Sequence, residues 1–233
     1  MAKTFTTWTV LPHQPIEKLT ENLWRVSGSL SGKIQRQMVL ARMRDGRVVV
    51  HNAVALREED MKELEAWGTP SVLFVPNGFH RQDAAIWKQR YPKATVAAPA
   101  GARKRVAQVV PVDAISEEAP GDDSVRLLPI AGVPGESVLE VRSAGEVSLT
   151  FCDAVLNVPR RGGLIGFALA PTGEVSVPRV MRWIGVKDRR TYADQMEQLA
   201  GTPGLRRLMF GHGDPIVEDA PGALRKVAAQ MRS

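Results

Sequence analysis

Ser71-Val-Leu-Phe-Val-Pro-Asn-Gly-Phe-His-Arg-Gln-Asp83 is the stretch on which the reading of this chain turns. Val72 to Val75 form a compact β-branched and aromatic run, and Pro76-Asn77-Gly78 ends it in a turn. Residues 83–91 follow, with Ala84, Ile86 and Trp87 spaced for the inner face of a helix, and 95–98 reads Thr-Val-Ala-Ala, a further strand. Strand, helix and strand at this spacing predict a parallel crossover unit. The polar residues from Asn77 to Asp83 then lie beyond a strand's carboxyl end, where ligands and catalytic groups gather in α/β sheets.

Working outward, the chain before this unit reads as short strands. Trp8-Thr-Val, Leu23-Trp-Arg-Val, Met38-Val-Leu-Ala-Arg-Met and Arg47-Val-Val-Val are expected strands. Asp45-Gly46 between the last two predicts a type I′ hairpin, which requires φ > 0 at its central residues. A helix over 58–67 carries Met61 and Leu64 inward and stops at Gly68 and Pro70. Beyond the crossover come a short basic helix at 102–106 and strands beginning at Val125, Val138 and Val147, separated by Gly-Pro turns. A helix over 191–200, a strand over 205–210 and a closing helix over 222–231 complete the pattern; 178–186 is ambiguous. No repeat or linker composition interrupts it, so residues 1–233 are expected to form one α/β domain, with 1–21 as an amino-terminal extension or edge strand.

Composition excludes several classes. At 233 residues, with 44% hydrophobic and 24% charged side chains, the chain can bury a full core and is not intrinsically disordered. The longest nearly uncharged apolar run, residues 162–171, is too short to span a bilayer, and Met1-Ala-Lys-Thr-Phe-Thr-Thr-Trp lacks a signal peptide's apolar core. One cysteine, Cys152, excludes a disulfide framework and any Cys-rich zinc site. These features predict a soluble cytoplasmic protein. The net charge of +6 comes from 31 Lys and Arg scattered in pairs and triplets such as Arg103-Lys104-Arg105. Without interleaved aromatics they read as a solvated surface, not a nucleic-acid stripe. Gly28-Ser-Leu-Ser-Gly32 has Leu30 where a nucleophile elbow needs serine. The glycines of 162–166 lack the strand-loop-helix context of a phosphate loop.

Polar residues concentrate in three loops at strand ends: 76–83, Phe151-Cys-Asp153, and Gly211-His-Gly-Asp-Pro215. A turn Gly132-Val-Pro-Gly-Glu136 accompanies them. The order of these elements, from Asn22-Leu-Trp-Arg-Val through the hairpin and Ser71–Val75 to Gly211-His212-Gly213, resembles the metallo-β-lactamase superfamily. It looks most like a divergent bacterial branch in which a Pro-Asn-x-x-His loop replaces the metal motif. The resemblance implies an αββα sandwich of two mixed sheets flanked by helices.

The resemblance also implies a metal centre that this chain cannot complete. The family's dinuclear site uses His-x-His-x-Asp-His, a Pro-Gly-His segment, a bridging Asp and a final His in Gly-His-Gly. That needs five imidazoles, and the chain has 4 histidines in total: His13, His51, His80 and His212. Aligned on 77–82, the first motif has Asn77, Phe79, Arg81 and Gln82 at ligand positions; shifted by one it recovers His80 and Asp83. Glu136 stands where Pro-Gly-His has its histidine. Only Asp153 and His212 match outright, so a full dinuclear site is excluded.

What remains is His80, Asp153, His212 and Glu136 as candidate ligands of one zinc, iron or manganese ion, a donor set that leaves positions open for water. Asp153 and His212 are the candidate catalytic residues, while Asn77 and Arg81 are candidates for substrate binding. Arg81 works against a cation and favours an anion; Asp153 pairing with Arg81 or Arg36 would fill the vacated position. His51 and Asn52 end a strand and either orient the pocket loop or leave His51 as a hydrogen-bonded structural histidine, and Asn77 is either a pocket polar group or the left-handed residue of a turn. Cys152 is expected to be a buried small hydrophobe, and His13 to be at the surface.

Two readings follow. One is a single-metal hydrolase acting on a small anionic ester, lactone, thioester or phosphoester. The other is a metal-free pseudoenzyme or ligand-binding module of the same fold. A nuclease or nucleic-acid binder ranks last, for want of both the metal motif and a basic stripe. Either leading reading has a small molecule as the ligand and no membrane partner.

Overall fold

A computed structural model describes residues 4–29 and 35–232. Met1 to Lys3 of the amino-terminal stretch and Leu30 of the rejected serine elbow lie outside the described residues. Seven strands form one mixed sheet in sequence order: β1 (Glu17–Thr20), β2 (Leu23–Ser29), β3 (Gln35–Arg42), β4 (Arg47–His51), β5 (Thr69–Phe74), β6 (Thr95–Ala98) and β7 (Ala114–Ile115). The first four pair antiparallel, and β4 to β7 run parallel. The parallel half contains the crossover read from Ser71 onward, with α1 (Glu58–Trp67) and α2 (Ala84–Arg90) as its helices and α3 (Arg103–Val106) after β6. A second sheet runs β11-β10-β9-β8, from β8 (Val125–Pro129), β9 (Ser137–Ser143), β10 (Glu146–Thr150) and β11 (Leu205–Met209). Between β10 and β11 lie α4 (Gly163–Leu169), a π-helical turn at Met181–Gly185 and α5 (Arg189–Ala200); α6 (Ala220–Arg232) closes the chain.

Three apolar layers hold these elements, and the central strands β2 to β6 each feed two of them because successive side chains point to opposite faces. Met38 and Leu40 of β3 and Val48 and Val50 of β4 pack outward against Met61, Leu64 and Trp87 of α1 and α2. Val39, Ala41 and Val49 of the same strands pack inward against Leu139, Val141 and Met209 of the second sheet. Val147 and Leu149 of β10 meet Tyr192 and Met196 of α5 and Leu224 and Val227 of α6. Strands covered on both faces read as continuous apolar runs, which is why 38–43 and 47–50 show no clean alternation. Each fully buried Val or Leu contributes about 1.5–3 kcal/mol. Asp188 starts α5 by accepting a hydrogen bond from the Thr191 N–H at 3.0 Å. The sheet–sheet layer between two helical layers is the αββα arrangement the resemblance implied.

Several local expectations are corrected. Residues 8–10 form no strand; Trp8 instead lies on Trp87 at 5.5 Å and donates its indole N–H to Leu56 O at 2.9 Å. Residues 163–169 are helical, a segment read only as an apolar run. The Asp45-Gly46 turn is not type I′, because only Gly46 has positive φ, at 85°. The Gly46 N–H donates to Met43 O and the Met43 N–H to Arg47 O, the pattern of a type I turn followed by a glycine bulge. The I′ geometry occurs instead at Ala144-Gly145 between β9 and β10, with φ of 49° and 84°. His13 is not at the surface: its side chain is 1% exposed, and its Nε2 accepts the Arg57 N–H at 3.2 Å.

His51 ends β4 one step beyond Val50 and shares the sheet–sheet layer with Phe74, 5.4 Å from its ring. It is fully buried, and neither ring nitrogen has a protein partner. Burial, aided by nearby His80, pushes its pKa down to about 3. A histidine kept neutral by folding contributes its full stability above the unfolded value near 6.5, and that contribution is lost as pH falls towards 3. Stability is therefore expected to fall by about 1 kcal/mol between pH 6.5 and 5.5 on this account. Urea denaturation at the two pH values should show that loss in the wild type and its reduction in His51→Leu; an unchanged pH slope in the variant would overturn the assignment. At the other hairpin, Ala144→Gly removes a left-handed alanine and should raise the unfolding free energy by about 0.5–1 kcal/mol, read as a higher urea midpoint with the slope unchanged.

Candidate functional site

The carboxyl ends of β4, β5, β10 and β11 bring the three polar loops together. Asn77 and His80 follow β5, Asp153 follows β10, and His212 follows β11. The glycines around His212 are required by close packing. A side chain on Gly211 would start 2.8 Å from Cys152 Sγ, and one on Gly213, at φ 88°, would start 2.0 Å from Asn157 O. Gly211 O also accepts the Gln37 N–H at 3.0 Å, joining the two sheets directly beneath the site. Gly-His-Gly is thus a packed junction rather than a free turn.

His80, Asp153 and His212 converge. His80 Nε2 lies 3.2 Å from Asp153 Oδ2 and 3.2 Å from His212 Nε2, and His212 Nε2 lies 3.6 Å from Asp153 Oδ1. The opposite ring nitrogens are committed. His80 Nδ1 is 3.0 Å from Asn52 Oδ1, and His212 Nδ1 is 2.7 Å from Gln35 O. Both of those oxygens only accept, since the Asn52 amide is oriented by its Nδ2 donating to Gln37 O at 2.7 Å. Each Nδ1 therefore carries the ring proton, and each Nε2 presents a lone pair to the other and to the carboxylate. Three mutual contacts without a proton among them are repulsive unless a cation sits between them.

That geometry fits a metal ion. Two ligands about 2.1 Å from a tetrahedral zinc lie about 3.4 Å apart, against 3.2 Å between the two Nε2 atoms, while Asp153 meets His80 through Oδ2 at 3.2 Å and His212 through Oδ1 at 3.6 Å. Imidazole N–H groups fixed by an amide and a carbonyl are also how metal-binding histidines are oriented. Burial raises the Asp153 carboxyl, but the positive charge that His80 and His212 carry when protonated, with the Asn77 donor, outweighs it and holds the group well below the usual carboxylate range. Burial and the neighbouring His80 lower His212, keeping it neutral and able to ligate.

Asn77 and Glu136 serve this trio from below. Asn77 Nδ2 donates to Asp153 Oδ2 at 2.7 Å and to Glu136 Oε1 at 2.8 Å, while its Oδ1 accepts the Phe79 and His80 N–H groups at 2.8 and 3.1 Å. All its hydrogen-bonding capacity is used, and it is not left-handed. The Glu136 carboxylate accepts from the Asp153 N–H at 3.0 Å and the Ala154 N–H at 2.7 Å. It clamps the turn that presents Asp153 and stays outside the cluster with His80 and His212. Burial, with the Asp153 charge, pushes its pKa up to about 8.

Other expectations are redirected. Arg81 does not approach Asp153; its guanidinium donates to Arg105 O and to Gln108 Oε1 at 2.9 Å, anchoring the loop to α3. Arg36 is spent on Asp83 at 2.5 Å, which also accepts the Ala55 N–H and so is not a ligand. Neither arginine fills the ligand cluster. Cys152 is buried as expected, its thiol raised by burial. Two features escaped sequence reading. Gln35 acts through a backbone carbonyl, which leaves no side-chain signal. Arg105, whose guanidinium lies 3.9 Å from the Phe79 ring centroid, was hidden in a basic triplet read as surface.

A cavity of about 1040 Å³ opens onto Asp153 and His212. Ser27, Gln35 and Asn77 line it near the cluster, and α4 and the Met181–Gly185 turn form its far wall. Among the described residues no helix is long and apolar enough to cross a membrane.

No protein-family model matches the chain, and no curated protein is detectably similar. Solved structures do match. A DIM-1 metallo-β-lactamase exposed to ceftazidime superposes with a TM-score of 0.63 at 13% identity, over 95% of this chain and 99% of that one. A metallo-β-lactamase from Erythrobacter litoralis, with β-mercaptoethanol in its active site, gives a TM-score of 0.58 at 16% identity, over 92% of this chain and 96% of that one. With both sheets, their flanking helices and nearly the whole length accounted for, the chain has the metallo-β-lactamase fold.

Proposed function

We propose that this protein is a single-metal hydrolase whose ion is held by His80 Nε2, Asp153 and His212 Nε2. The observation that carries the reading is the approach of the two Nε2 atoms to 3.2 Å beside one carboxylate, with each Nδ1 held by an accepting oxygen elsewhere. Two imidazoles and one carboxylate suit zinc, ferrous iron or manganese and leave positions open. Bound there, the ion would supply Lewis acidity and bring a water's pKa towards neutral, which suits attack on an ester, lactone, thioester or phosphoester.

The chain's own groups do the rest. Asn52 and Gln35 O hold the two rings so that Nε2 faces the site. Asn77 ties the Asp153 carboxylate to the His80 backbone, since its amide donates to Asp153 Oδ2 and accepts the His80 N–H. Glu136 braces the turn and needs no contact with substrate. Arg105, on the cavity wall, takes the part first assigned to Arg81 as the cation that attracts an anionic substrate.

A metal-free binding module is the second reading. It is favoured by Asn77, whose amide lies between the Glu136 and Asp153 carboxylates and satisfies both without a cation. In that state one proton shared by His80 and His212 replaces the ion.

Elemental analysis separates the two. Protein purified without chelator and offered zinc, iron and manganese should retain about one ion per chain, and His212→Ala should lose it. Chelation should lower the thermal midpoint of the wild type and leave that of His212→Ala unmoved, because an ion that binds only the folded state stabilises it by mass action. Wild type that holds no stoichiometric ion under any loading overturns the hydrolase and leaves the binding module. Within the metal reading, Asn52→Gly keeps the left-handed backbone at φ 57° but frees the His80 ring. Chelator competition should show metal affinity reduced about 10–100-fold in that variant; an unchanged affinity would remove Asn52 from the site.

A further inference from the structure

We propose that the cavity beside the His80–Asp153–His212 cluster binds the alkyl chain of an amphiphile, whose hydrolysable head group lies at the cluster; the second half of this rests on the hydrolase reading above. The cavity, at about 1040 Å³, is at the upper end of what drug-sized ligands fill, far more than a short-chain ester needs. Its two ends differ in chemistry. Beside Asp153 and His212 the lining carries Gln35, and Ser27 and Arg105 add further groups that can hold a polar head.

The wall contributed by residues 156–185 is aliphatic, with Leu156 and Val158 beside the His212 loop and Ile165, Leu169, Met181 and Ile184 beyond it. Arg161 is the one charged side chain that this stretch adds to the lining. This chemistry selects the ligand. A peptide or sugar placed along that wall would bury amides or hydroxyls without partners, at a cost of a few kcal/mol for each group. A polymethylene chain has none to lose, and Met181 supplies a flexible side chain that adapts to its path. Ile165 and Ile184 line the cavity yet are 52% and 67% exposed, apolar surface that a bound chain would cover.

Calorimetric titration of the chelator-treated full-length protein with straight-chain carboxylates, from butyrate to dodecanoate, tests the site without depending on a metal. Affinity should rise about three- to fourfold per added methylene until the cavity is filled. Ala168→Trp, which places a large side chain on the lining, should cut the affinity for the long chains at least about tenfold and leave butyrate little changed. Ile184→Asp, at an exposed position where a charge is tolerated by the fold, should repeat that loss. Leu164→Asp is the control: Leu164 is 90% exposed on α4 and does not line the cavity, so its affinity should equal that of the wild type. Affinity independent of chain length overturns the proposal. So does loss in Leu164→Asp with Ala168→Trp unaffected, which would mark adsorption to the outer face of α4. Chain binding without stoichiometric metal would keep the alkyl site and overturn the hydrolase; metal without chain-length dependence would do the reverse.

Discussion

Two imidazole nitrogens with their lone pairs turned towards each other, beside a carboxylate, cannot rest together in a partly buried site without a positive centre. The rest of the site follows from that constraint. The Nδ1 protons are drawn away by Asn52 and by a β3 carbonyl, so the rings are committed before any ion or proton arrives. Asp153 is drawn in by the Asn77 amide and is held down by a turn whose N–H groups end on Glu136. Groups arranged so that neutral rings and carboxylate would repel one another favour a positive centre, and the arrangement is supplied by the scaffold.

The scaffold can do this because the two sheets are tied where the ligands emerge. The Gln37 N–H reaches across to Gly211 O at the end of β11, and the close contact of Gly211 with Cys152 brings β10 and β11 to the same edge. β3, β4 and β5 carry Gln35, Asn52 and the Asn77–His80 loop to that edge from the other sheet. The layer of Val39, Val49, Phe74, Leu139 and Met209 between the sheets fixes their separation, since close-packed interiors transmit displacement rather than absorb it. Asn77 and Glu136 satisfy each other and hold Asp153 from behind, as supports of the cluster.

The crossover from β5 through α2 to β6 was legible because apolar runs punctuated by Pro, Asn and Gly report directly on strands buried on both faces. α1 was legible for a similar reason, since its inward residues recur at helical spacing. Trp8 to Val10 misled because a tryptophan with β-branched neighbours has the same composition whether it pairs in a sheet or caps a helix layer. The hairpin at Asp45-Gly46 misled because the dipeptide suits both a I′ turn and a glycine bulge. Strand register chooses between these, and register is a property of both strands together.

By itself the sequence determined the exclusions and the order of elements. Four histidines rule out any centre that needs five imidazoles, whatever the fold, and periodicity with turn residues places most strands and helices. It also named His80, Asp153 and His212, because each follows a readable strand end. Only the tertiary structure decided what those residues do. Whether Arg81 points at Asp153 or at a carbonyl of α3, whether Glu136 faces the imidazoles or the backbone beneath them, and which nitrogen of each ring is free are all set by contacts between segments far apart in the chain. Gln35 meets His212 across 177 positions, and Asn77 meets Asp153 across 76. A one-dimensional pattern records what a segment buries; the direction of a polar side chain is set by partners that only the packed sheets bring within reach.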